Sequence, residues 1–214
     1  TLDMIAPGDE RDLINRRSNT RAELQANMAL EFIYEHLPAP AQLLLHRLPV
    51  YYEPVPLEGL IKLALDLPDP EALAERLLAV SFLEVQVEPR WEVLQYQVLP
   101  QVRDWLVAGG LVEPNPAWLE AAADYHLYLL ENERDTLSQS ITTHHALRRA
   151  GRHALADRLT LENIVGPLTL AGFFATLIKD WLPRICTSED LQTRGQALGQ
   201  MGKLHLHLGD YKSA

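Results

Sequence analysis

Cysteine is nearly absent from this chain, long apolar runs are absent altogether, and cationic residues are scarce in its middle third. Cys186 is the only cysteine, which excludes an internal disulfide and fits a reducing, cytoplasmic setting. No stretch approaches the roughly 18–20 apolar residues that a membrane-spanning helix needs. The first residues, Thr1 to Glu10, lack the basic and apolar regions of a secretory signal. Neither G-x-x-x-x-G-K-[ST] nor G-x-G-x-x-G occurs, so the chain alone is expected not to hydrolyse a nucleotide. The formal net charge is −10, with five Lys/Arg against eleven Asp/Glu in residues 36–113 and ten against eleven in residues 114–214. An acidic surface repels phosphate backbones and anionic lipid, so neither nucleic acid nor membrane is an expected partner.

Catalytic and metal chemistry have no visible seat. His144 and His145 are adjacent, so on a helix they point about 100° apart, and His205 and His207 are split between faces in the same way. No cysteine lies beside them, and the neighbouring acids lack ligand spacing. Cys186 adjoins Thr187-Ser188 but has no glycine elbow to present it, and it reads as a small packed hydrophobe. No catalytic residue, metal or cofactor is expected.

What is present is a helical protein with enough apolar surface for a core: 214 residues, 47% hydrophobic. Residues 1–35 read as a linker and an entry helix, with Leu24, Met28 and Phe32 at four-residue spacing forming one apolar stripe. In residues 36–113 the pattern predicts a helix over Gln42–Leu48 ended by Pro49, then an extended crossing through Pro54 and Pro56. A helix over Leu57–Leu65 and another opened by Asp69-Pro70 follow. Leu83–Val87 and Val93–Val98 alternate with period two around Glu88–Trp91, which predicts a hairpin, and Pro100 starts a helix stopped by Gly109-Gly110. Three helices followed by a two-stranded ribbon is the order of a winged helix. Trp91 and Arg90 at the hairpin tip, with Tyr51 and Tyr52 on the crossing, are candidate partner contacts, since an aromatic buries much area at little entropic cost.

Residues 114–214 read as helical to the end, with breaks near Asn132–Asp135, Gly151, Gly166-Pro167, Gly172 and Pro183. In the last stretch Leu198, Met201 and Leu208 are expected on an inward face, Gly202 at a close helix approach, and Gly209 in the turn. A second helix would then begin at Tyr211 and carry Ala214 at the crossing. This stretch resembles about half of a tetratricopeptide repeat of roughly 34 residues. The half-repeat leads to the expectation that the chain is a piece of a longer protein.

Two longer stretches add a second resemblance. Ala22 to Val50 is similar to the entry into the winged-helix domain of STAND-type, NB-ARC-like signalling NTPases, where a helix and "L-P" precede an "A-Q-x-L-L-x-R-L" helix. Ala79–Val85 resembles the family's run into the wing, and Val98–Leu106 its closing "H-P-L-V-R-x-x-L" motif, with Leu99 where the family often has a diphosphate-contacting histidine. An apolar Leu99 cannot donate that hydrogen bond, so the resemblance implies a packed joint rather than a nucleotide sensor. It implies a mainly α protein: a winged-helix domain with a small β-hairpin followed by a tetratricopeptide-like helical array. Its implied role is non-catalytic and regulatory, coupling a protein-docking surface to an upstream NTPase core or effector. A transcription activator related to the maltose regulator, or a plain scaffold attached to an effector such as a protease, fits the same order.

Overall fold

The computed structural model describes residues 26–112 and 115–209. The protein is mainly α-helical with one small three-stranded antiparallel sheet. It divides at Glu113/Pro114 into two compact units. Among the described residues no helix is long and apolar enough to cross a membrane.

In the first unit, α1 covers 26–35 and α2 spans Ala39–Arg47, continued by a 3-10 turn at Leu48–Val50. Then come β1 (Val55–Pro56), α3 (Leu57–Lys62), α4 (Pro70–Ala79), β2 (Leu83–Glu88), β3 (Val93–Val98) and α5 (Pro100–Ala108). Local chemistry sets most of these boundaries. Pro40 pre-forms the first turn of α2, which therefore starts ahead of the Gln42 expected from its apolar run. The Asp69 carboxylate accepts the Ala72 N–H at 3.2 Å and caps α4, with Pro70 at its first position.

The sheet order is β1-β3-β2, registered by Val55↔Tyr96 on one side and by Leu83↔Val98 through Glu88↔Val93 on the other. The expected ribbon thus gains a third strand. It escaped the sequence reading because it is two residues long and contains a proline, which a sheet tolerates at an edge. Leu44, Leu45, Leu77, Phe82 and Leu106 are fully buried in this unit. The stripe expected on α1 is corrected: Met28 and Phe32 are 69% and 62% exposed, and Leu24 lies outside the described residues. The helix packs instead through Tyr34, whose ring meets Trp105 edge-on at 5.4 Å and whose hydroxyl lies 2.8 Å from His46 Nε2.

The second unit holds α6 (Pro116–Asn132), α7 (Leu137–Arg149) and α8 (His153–Leu159). A π turn at Thr160–Ile164, α9 (Val165–Leu170), α10 (Phe174–Thr176), a second π turn at Leu177–Trp181, α11 (Leu182–Ile185) and α12 (Leu191–His207) complete it. Asn115, Thr136 and Asp190 cap α6, α7 and α12 through their side chains. At Gly151 and Gly172 the chain turns with φ of +76° and +80°. There Arg152 N–H reaches the Leu147 carbonyl and Phe173 N–H the Leu168 carbonyl, closing the two preceding helices.

Two expected breaks are not breaks. Helical backbone continues through Gly166-Pro167 and through Pro183, and in both cases a π turn lies just upstream. Val165 N–H bonds the Thr160 carbonyl and Leu182 N–H the Leu177 carbonyl, so each coil is wider by one residue where a proline ring would otherwise strike the preceding turn.

The inward face of α12 is also corrected. Thr193, Ala197 and Leu204 are buried and Met201 is half-buried against the same cluster, whereas Leu198 and Leu208 are each 53% exposed. Spacing alone could not choose, because α12 carries leucines on opposite sides. Gly202 is half-buried and Gly209 has φ of +75°, as a helix-ending turn requires. Tyr211 and Ala214 lie outside the described residues.

Candidate functional site

The first unit offers its hairpin. Period-two alternation places Leu83, Val85 and Val87 on one face of β2, opposite Val98, Tyr96 and Leu94 of β3. At the base Leu83 and Val98 are buried, but Val85, Val87 and Leu94 are 46%, 59% and 50% exposed. The apolar ladder therefore continues past the end of the core that its base belongs to. On the other face Glu84 and Gln86 are exposed while Gln95 is buried. At the tip Glu92 adopts φ of +54°, Arg90 N–H donates to Glu88 Oε1 at 3.3 Å, and the Arg90 guanidinium lies 5.0 Å from the centroid of the half-buried Trp91 ring.

Of the aromatics singled out on the crossing, only one faces outward. Tyr51 is buried and its hydroxyl donates to the Gly59 carbonyl at 2.9 Å, so its expected role as an exposed contact is corrected. Neighbours in extended backbone point to opposite sides, and Tyr52 is the exposed one. Its ring lies 5.1 Å beneath the Arg103 guanidinium, which also donates to the Tyr51 carbonyl. Burial pushes the Arg103 pKa down. Leu99 is half-buried at the start of α5, and its N–H donates to the Phe82 carbonyl at 3.3 Å.

The second unit carries polar groups in its interior. The Gln139 amide on α7 reaches His126 Nδ1 at 3.3 Å, the His126 carbonyl at 3.3 Å and Thr143 Oγ1 at 3.2 Å, tying α7 to α6. His144 Nδ1 lies 2.8 Å from the hydroxyl of Thr160, the first residue of the π turn, and its ring is 4.9 Å from that of Trp181 at the end of the second. Burial, helped by the Arg134 and Arg149 charges, pushes His126 down to about 4. Burial likewise lowers His144 to about 4, against an opposing hydrogen bond to the Ala156 carbonyl. Both rings are neutral at pH 7.

The same unit has a groove of about 340 Å³ formed by α6, the turn after it, α8 and the first π turn. Leu127, Leu130, Leu155 and Leu159 line its floor, and Glu131, Asp135 and Glu162 stand exposed around it. This volume falls within the ~300–1,000 Å³ of ligand-sized sites, and π turns recur at functional positions. Nothing local in the sequence marks the groove, since its residues come from separate segments. The exposed ladder was visible as alternation, but how far it outruns the core is a tertiary property.

Among the described residues no group of three or more His, Cys, Asp or Glu could hold a metal ion. Cys186 is half-buried, and burial raises its thiol pKa, which keeps it protonated at neutral pH. No protein-family model matches the chain, and no curated protein or solved structure matches it either.

Proposed function

We propose that the chain is a non-catalytic regulatory module, a winged-helix unit followed by tetratricopeptide-like helical hairpins, that makes protein contacts on behalf of an NTPase core or effector in its parent. The element order α2-β1-α3-α4-β2-β3 with sheet order β1-β3-β2 supports the winged-helix reading of the first unit. The capped helical hairpin α6–α7 and the glycine-closed helices after it support the repeat-like reading of the second.

One observation carries the interaction role: the uncovered ladder Val85, Val87 and Leu94 on the wing. Apolar side chains standing together gain roughly 25 cal/mol for each Å² removed from water, and a protein surface is what can remove it. A nucleic-acid role is the competing reading of such a fold. The outward side of α4, the helix that would enter a major groove, presents Glu71, Glu75 and a single Arg76, and the wing adds Glu84, Glu88 and Glu92. These acids oppose phosphate. A mobility-shift assay with duplex DNA at low salt distinguishes the two: no complex is expected at micromolar protein, and binding at micromolar or tighter concentration overturns the reading.

A further inference from the structure

The geometry points to the groove beside α6 and α8 as a docking site for a basic peptide segment of a partner protein, in which a lysine or arginine alternates with an aliphatic residue. The floor and the rim ask for different halves of such a ligand. Leu130 and Leu159 are buried at the base, with Leu127 and Leu155 half-exposed beside them, which suits an aliphatic side chain or the methylene stem of a lysine or arginine. Glu131, Asp135 and Glu162 stand where the cationic head of that stem would emerge.

Two carboxylates of the unit are held by cations of the chain: Asp157 pairs with Arg148 at 3.0 Å, and Asp124 pairs with Arg152. Glu131, Asp135 and Glu162 have no ion pair among the described residues. Three like charges around one apolar groove repel one another and attract a cation from outside, giving both affinity and selection against acidic ligands. The floor discriminates further: a small hydrated polycation satisfies the rim but leaves the exposed sides of Leu127 and Leu155 wet, whereas a basic peptide with aliphatic neighbours covers both.

This inference rests on the interaction-module reading and adds the partner's chemistry. The test is fluorescence anisotropy on the whole 214-residue chain with a labelled peptide alternating lysine and leucine, competed by a glutamate–leucine peptide or by spermidine. The basic peptide is expected to bind and to weaken with added salt. The Glu131→Gln/Glu162→Gln double variant should lose roughly tenfold in affinity, the sum of two partly screened charge pairs. Leu155→Ser should weaken binding as well, and Glu120→Gln should not. Far-UV circular dichroism confirms that each variant is folded. The site is overturned if the basic peptide does not bind, binds both groove variants as tightly as the native chain, or is displaced equally well by the acidic peptide or by spermidine. None of these outcomes touches the wing, so failure here with a contact-making wing leaves the broader reading in place.

Discussion

The two units stabilise themselves by different chemistry. The first is built on an aliphatic and aromatic interior, Leu44, Leu45, Leu77, Phe82 and Leu106, and keeps the buried Arg47 on the Leu63 carbonyl at 2.7 Å and on Asp66. The second threads polar groups through its interior: His126, Gln139 and Thr143 between α6 and α7, and His144 and Thr160 where α7 meets the π turn. An apolar core is indifferent to protons, whereas a core containing neutral imidazoles is stable only while they remain neutral. The units should therefore respond differently to the same perturbations.

Acid is the largest of these. His126 and His144 each have a folded pKa of about 4 against an ordinary 6.5. Between those values the unfolded chain binds protons that the fold refuses. Their contribution is complete above pH 6.5 and is lost as the pH falls toward 4, at a ceiling on the order of 3 kcal/mol for the deeply buried His126 and less for His144, whose charge solvent partly screens. Among the described residues of the first unit, burial lowers the half-buried His46. Asp66, held down to about 2 mainly by its hydrogen bond to Arg47, loses its contribution only as the pH falls below the usual carboxylate range. Hydrogen exchange at pH 7 and pH 5 should show peptides from 115–209 losing protection far more than peptides from 36–112. Equal losses would erase the contrast.

A smaller effect sharpens it at one residue. Gln139→Ala removes the amide that joins His126 to Thr143 and should cost about 1–3 kcal/mol, read as a shifted urea midpoint. It should also flatten the pH dependence, since Gln139 donates to His126 Nδ1 only while that nitrogen is unprotonated.

The smallest predicted effects come from one helix-ending device used with different residues. Gly151 has φ of +76° with open space around it, so Gly151→Ala should destabilise by about 1–2 kcal/mol through backbone strain alone. In the first unit the corresponding position after α4 is Ser81, with φ of +59° and Phe82 N–H bonded to the Leu77 carbonyl. There Ser81→Gly should raise the thermal midpoint slightly, by up to about 1 kcal/mol of stability. Opposite signs at the two sites are the expected outcome.

The same contrast governs what the sequence disclosed. Elements of the first unit are punctuated locally by Asp69-Pro70, Pro100 and the alternation around Glu88–Trp91, and they lie close to where those signals put them. In the second unit local signals misled. Pro167 and Pro183 read as stops, yet π turns absorb them, and Leu198 and Leu208 read as inward although Thr193, Ala197 and Leu204 are buried. Proline's local cost is legible in a sequence, but a compensating π turn anchored through Thr160 to His144 is not. The candidate surfaces divide similarly. The aromatic at the hairpin tip was legible, the burial of Tyr51 was not, and the groove exists only once α6, α8 and the π turn are assembled.

The protein contact proposed for the uncovered ladder lies on the β2–β3 hairpin, at Val85, Val87 and Leu94. Placing a photo-crosslinking side chain at Val87 or Leu94 of the chain in cells and identifying the products by mass spectrometry, with the exposed Glu120 as control, tests this contact. Val87 and Leu94 are expected to cross-link to a defined protein segment and Glu120 is not. Cross-links from these positions to nucleic acid, or products no more frequent than those from Glu120, would contradict it.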